Sequence, residues 1–128
     1  MLNLRYVTEN TAVLIFTPVN RRYLTGFSSS LGFLLLTKDE NILFVDGRYY
    51  EAAMSLVTDA KVVLIKNIYE QINETLAKTD VKKILIETEN EISLFSGLKE
   101  KLNVKVVPSA PLSNRLLDLR SVKSKKEV

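Results

Sequence analysis

Residues Asn20–Ala53 read NRRYLTGFSSSLGFLLLTKDENILFVDGRYYEAA, and their order decides the fold. A polar-aromatic turn comes first, carrying Asn20, Arg22, Tyr23, Gly26 and Phe27 and then the hydroxyl run Ser28, Ser29 and Ser30. Leu31–Thr37 and Ile42–Val45 are short apolar runs of strand length. Lys38–Asn41 between them is a polar turn, so the pair predicts an antiparallel hairpin. Asp46-Gly47-Arg48-Tyr49 then opens a predicted helix over Arg48–Val57. Asp46 is placed as its N-cap, with the carboxylate accepting first-turn N–H groups. Tyr49, Ala53 and Leu56 fall on one face of that helix.

Before this stretch, Met1–Asn10 predicts a turn or two of helix. Thr11–Thr17 (TAVLIFT) predicts a buried strand, ended by Pro18 because proline cannot donate to a ladder. After it, strand and helix alternate. Lys61–Ile65 is a strand. Asn67 caps a helix, with Glu70 three residues on and an inward stripe of Ile68, Ile72 and Leu76. Lys83–Ile86 is the next strand. Thr88 with Glu91 repeats the capping spacing, and Ile92, Phe95, Leu98 and Leu102 form the stripe of a further helix. Val104–Val107 is the last strand, stopped by Pro108. Pro108–Pro111 reads as a hinge before a short helix containing Leu112, Leu116 and Leu117. Strands alternating with helices imply crossover connections and parallel pairing. The expected fold is therefore α/β, a three-layer sandwich with a mixed sheet of about six strands. Residues 1–110 are expected to form the domain, and 111–128 a linker helix and basic tail.

Composition narrows the function. A chain of 128 residues, 46% apolar and 26% charged, suits one soluble domain with a single core. The net charge of +3 is not spread over a face: Met1–Leu119 holds 14 basic and 14 acidic residues, and the excess lies in Arg120, Lys123, Lys125 and Lys126 against Glu127. A short basic tail without aromatics reads as a solvated linker, so nucleic acid is not an expected partner. Apolar runs such as Ala12–Phe16 and Phe33–Leu36 are too short to span a bilayer. No secretory signal is read at the amino terminus. Cysteine is absent, which suits a reducing compartment, and a cytoplasmic location is expected.

The chain has no histidine, which excludes Ser-His-Asp and Cys-His catalysis and histidine-ligated zinc. Asp39, Glu40, Asp46, Glu51, Glu87, Glu89 and Glu91 lie near strand ends, so a site of carboxylates alone remains conceivable. A plainer role is available to each. Asp39 and Glu40 suit a turn, Asp46 an N-cap, and Glu89 and Glu91 the positive end of a helix. Gly26, Gly32, Gly47 and Gly97 form no phosphate-binding loop. Ser28, Ser29 and Ser30 read first as a turn bonding its own backbone and second as a ligand contact. Arg48 beside Asp46 either anchors the chain locally or forks onto an incoming carboxylate. Arg21, Arg22 and Tyr23 carry the same two readings.

The pattern N-x-R-Y-L-T-G-F over Asn20–Phe27, with L-F-x-D-G-R-Y-x-x-A over Leu43–Ala52, resembles the amino-terminal domain of the Xaa-Pro aminopeptidase and prolidase family. Leu119-Arg120-Ser121-Val122-Lys123-Ser124 with Glu127 is similar to the L-R-x-x-K-S-x-x-E segment by which that family enters its catalytic domain. Three departures stand out: Ser29 where many members have glycine, Arg21 in place of a commoner isoleucine or valine, and a short leading helix. The resemblance implies a creatinase/prolidase-type domain, loosely similar in topology to ribonuclease H, with no catalytic or metal-binding residue of its own. It implies a parent metallopeptidase that hydrolyses the N-terminal Xaa-Pro bond. That enzyme's catalytic domain would lie beyond Val128 and hold two divalent cations, manganese or cobalt, through two aspartates, a histidine and two glutamates. The expected partners are that catalytic domain, a second copy in a homodimer, and proline-containing peptides as substrate. Tyr23, Phe27, Ser28, Ser29 and Ser30 are expected to form a substrate-facing lip. Asn20, Arg22, Gly26, Asp46, Gly47, Arg48 and Tyr49 are expected to be structural. The 128-residue chain alone is expected to be inactive. The alternative is a non-enzymatic peptide- or protein-binding module on the same fold, such as a histone chaperone that has lost its metals. A ribonuclease H-like nuclease is disfavoured by the neutral body and the plain roles open to its acids.

Overall fold

The strands form where the apolar runs are densest. The structure, a computed structural model, describes residues 6–29, 31–88 and 92–127, with the backbone alone at 92–93 and 120–127. The strands are β1 (Thr11–Ile15), β2 (Gly32–Leu36), β3 (Asn41–Val45), β4 (Lys61–Leu64), β5 (Lys83–Ile86) and β6 (Lys105–Pro108). The helices are α1 (Pro18–Thr25), α2 (Tyr50–Leu56), α3 (Ile68–Ala77), α4 (Ile92–Lys101) and α5 (Ala110–Glu127). One six-stranded sheet runs β4-β3-β2-β1-β5-β6. The β2–β3 hairpin is antiparallel, with Phe33 opposite Phe44, and β1 joins β2 antiparallel. All other pairs are parallel, so the sheet is mixed as expected.

Every residue of β2 is buried, because helices cover both faces of the sheet. Alternation along the strands assigns the two faces. Leu14, Phe33, Leu35, Phe44, Ile84 and Ile86 pack with Ile72 and Leu76 of α3 and Leu98 of α4. Val13, Ile15, Leu34, Leu43 and Val45 pack on the other face with Ala53 of α2 and Leu112 and Leu116 of α5, and Leu24 of α1 joins their margin. These are the three layers.

Several local expectations need correction. The polar-aromatic turn is a helix, α1. Pro18 occupies its first turn, where the missing N–H has no partner to lose. Gly26 closes α1 in the left-handed conformation at φ 75° and donates its N–H to the Arg22 carbonyl at 2.8 Å. Asp46 does not cap α2. Its Oδ1 accepts the Arg48 N–H at 3.1 Å within a turn, and Tyr49 holds the N-cap position. Because α2 ends at Leu56, that side chain is 68% exposed and Val57 folds inward in its place.

Pro108 is the last residue of β6, tolerated there because β6 is an edge strand. The span read as a hinge is a strand end and a helix start, with Ser109 Oγ accepting the Leu112 N–H at 3.2 Å. The helix that follows is not short but 18 residues long, and Leu117 on it is exposed. Residues 6–10 form a turn and bends rather than helix, and residues 1–5 lie outside the described set. Asn67 caps α3 as expected, its side chain accepting the Glu70 N–H at 3.3 Å. The Thr88 hydroxyl donates to Ser113 Oγ at 3.1 Å, and Glu91 lies outside the described residues.

Candidate functional site

The carboxyl ends of β1, β3, β4, β5 and β6 share one edge of the sheet. Open α/β sheets bind ligands at such an edge, where connections from adjacent strands depart to opposite faces. Here that point lies between β1, whose chain continues into α1, and β5, whose chain continues towards α4 on the other face. Glu87, the first residue past β5, is fully buried there. Its Oε1 accepts the N–H groups of Phe16 at 2.7 Å and Thr17 at 2.9 Å. Its Oε2 accepts the side-chain amide of Asn20, which is itself buried. The carboxylate thus ties down the two backbone N–H groups that lead into α1 and the Asn20 side chain in its first turn.

Beside it lies Arg21, also buried, which heads the fully buried side chains by volume. Its Nε donates to the Phe16 carbonyl at 3.1 Å, Nη1 to Ser29 Oγ at 2.8 Å, and Nη2 to the Ser29 carbonyl at 3.1 Å. Burial pushes the guanidinium pKa down, and the Glu87 charge opposes that shift. Arg21 and Ser29, two of the departures from the family pattern, are therefore bonded to each other. Gly32 lies beneath them and leaves room for the guanidinium: a Cβ there would collide with Nη1.

Outside this network a shallow pocket of about 300 Å³ is lined by Pro18, Val19, Arg22, Ser28, Ser29 and Tyr49. It joins the two halves of the sequence signature across the intervening hairpin. The Phe27 and Tyr49 rings meet edge to face, with centroids 6.3 Å apart and planes at 83°. Arg48 lies 5.4 Å from the Tyr49 ring centroid and donates Nη2 to Asp46 Oδ2 at 2.9 Å. That hydrogen bond holds the Asp46 carboxyl below the usual range. Arg22 is exposed, and its guanidinium has no hydrogen bond or ion pair among the described residues.

The expected lip residues thus divide. Ser28 and Ser29 line the pocket with Arg22 and Tyr49, whereas Phe27 is buried against Tyr49 and is a packing residue. Tyr23 is half-buried and does not line the pocket, and Ser30 lies outside the described residues. Gly47 is exposed in the turn after β3. Glu87 and the central place of Arg21 were not legible as a site. The available signal was an acid set directly after an apolar strand with no turn or cap to serve.

The described residues do not fit a dinuclear metal centre. Among them no group of three or more histidine, cysteine, aspartate or glutamate side chains could hold a metal ion, and both Glu87 oxygens are committed to N–H donors. No helix among the described residues is long and apolar enough to cross a membrane.

The profile of the Creatinase/Prolidase N-terminal domain matches residues 5–122. A protein of Mycoplasma pneumoniae assigned as an Xaa-Pro aminopeptidase is 41% identical over 76 residues, which are 59% of this chain and 22% of that protein. The chain therefore spans about a fifth of the length of this curated relative. Among solved structures, a proline dipeptidase from Streptococcus pneumoniae superposes with TM-score 0.72 at 29% identity, covering 87% of each chain. The Creatinase/Prolidase N-terminal domain of an X-Pro dipeptidase from Streptococcus pyogenes shares the fold at TM-score 0.67 and 24% identity, covering 80% of this chain and 85% of that one. With the profile running through all six strands of the sheet, the chain belongs to the creatinase/prolidase N-terminal domain family, as found in Xaa-Pro peptidases.

Proposed function

We propose that this is the non-catalytic N-terminal domain of a cytoplasmic, proline-specific metallo-exopeptidase, whose catalytic half cleaves the N-terminal Xaa-Pro bond with two divalent cations, manganese or cobalt. In this reading the domain supports a homodimer, and its pocket loop limits which peptides reach the active site. One observation carries the proposal. At the crevice where an α/β sheet would bind a ligand, this domain places its own helix start and its own carboxylate, Glu87. What stays open is the pocket, whose free guanidinium, serine hydroxyls and aromatic wall suit the polar groups of a peptide rather than bond cleavage.

The purified 128-residue chain is expected to release no alanine from Ala-Pro or longer Ala-Pro peptides in the presence of Mn²⁺. Robust, metal-dependent hydrolysis by the chain alone would overturn the proposal. In the full-length enzyme, Arg22→Gln and Ser28→Ala are expected to raise KM for Xaa-Pro peptides about three- to tenfold, with kcat within about twofold. Tyr23→Ala tests the lip beyond the pocket in the same assay. Unchanged kinetics for both short and long peptides would remove the lip from the proposal.

A further inference from the structure

We infer that Arg21 is a positioning residue for the pocket: by gripping Ser29 it fixes the Ser28–Ser29 wall against α1 and so sets what the pocket admits. The specificity half of this inference rests on the pocket facing substrate, as proposed above; the grip itself does not. Stability alone does not account for a guanidinium at this position. Burial strips water from the guanidinium before any partner compensates, and apolar residues of similar size often replace buried charged groups without loss of stability. What arginine adds is direction. Its planar fork reaches both the side-chain and the main-chain oxygen of Ser29, while Nε holds the carbonyl of Phe16 just ahead of α1. Both ends of the grip are set from elsewhere. Glu87 fixes the start of α1 through Phe16, Thr17 and Asn20, and Gly32 leaves the channel through which the guanidinium passes. Ser29 lines the pocket directly, and Ser28 next to it carries the exposed hydroxyl. Held this way, the wall is a rigid edge rather than a closing lid.

Backbone ¹⁵N relaxation on the 128-residue chain reads the grip without any need for activity. Arg21→Met is expected to lower the order parameters of Ser28, Ser29 and Leu31 from about 0.85 to below about 0.6, while those of Leu14 and Leu34 stay high. Arg21→Lys is expected not to restore them, because an ammonium keeps the charge but lacks the fork. Ser29→Ala, which leaves the main-chain acceptor, should give an intermediate loss confined to the same residues. Order parameters that stay unchanged, or that fall equally across the sheet, overturn the grip. If Arg21→Met does not fold, Ser29→Ala decides, and unaltered order at Ser28 and Leu31 is the overturning result. In the full-length enzyme Arg21→Met should change KM at least about threefold with kcat within about twofold. A loosened wall with unchanged KM would overturn the specificity role and count against the pocket as a substrate-facing surface, leaving the chain's own lack of hydrolysis as a separate result.

Discussion

Replacing Glu87 with alanine is expected to destabilise the domain by about 3–5 kcal/mol, seen as a lower urea midpoint with little change in slope. Two effects combine. The N–H groups of Phe16 and Thr17 and the Asn20 amide lose their acceptor in a buried place. The Arg21 guanidinium also loses the neighbouring charge that offsets its desolvation. Glutamine separates the two. Its carbonyl can keep the Phe16 and Thr17 bonds, and the buried Asn20 Oδ1, which has no hydrogen-bond partner among the described residues, can turn to accept the new amide. Glu87→Gln should therefore retain part of the stability and report mainly the lost charge. Domains of this size have only about 5–15 kcal/mol in total, so the alanine variant removes a large share. A change within about 1 kcal/mol for Glu87→Ala would mean the carboxylate is not structural. It would also undo the argument that this crevice is closed to chemistry.

The parts of the fold that follow apolar periodicity were legible in the sequence. The hairpin, β5, β6 and the Ile72–Leu76 face of α3 bury residues that their spacing points at the core, and β4 half-buries its own. Helix α1 escaped for a physical reason: its buried residues are Asn20 and Arg21, and half-buried Leu24 alone gives too little hydrophobic signal on the inward face. Polar burial of this kind depends on a partner 67 residues further along the chain, Glu87, which no local window contains. The Asp46 misreading has a different origin. A carboxylate bonding the N–H two residues ahead is equally suited to a turn and to a cap, and Gly47 after it favours the turn. Of the candidate site, Ser28 and Ser29 are expected on the lip, whereas Arg22 and Tyr49 are expected to be structural and yet line the same pocket. Their meeting in one pocket depends on α1 existing. The family resemblance also marked Arg21 and Ser29 as unusual, but only coordinates could show that the two anomalies are one interaction.

Gly32→Ala should then be the substitution that most directly tests the packing of that interaction, with an expected loss of about 2–4 kcal/mol. Gly32 needs no left-handed backbone; it begins β2 opposite Val45, and what matters is the absent side chain. A methyl group there would overlap Arg21 Nη1 and come within 3.0 Å of the Phe44 carbonyl and 3.2 Å of Ser29 Oγ. The carbonyl cannot yield, because β3 is paired on both sides, with β2 and with β4. The guanidinium must move instead, and it is buried with no solvent to receive it. The loss therefore combines overpacking with broken charge-assisted bonds to Ser29. Arg21→Met in the same chain removes the fork that the methyl strikes, so the double variant should lose less than the sum of the singles by about 1–2 kcal/mol. Additive losses would show that Gly32 serves the β2–β3 ladder alone and that Arg21 has room to spare. A coupled loss, read by urea denaturation of all three variants, ties the glycine, the arginine and the wall of the pocket into one unit.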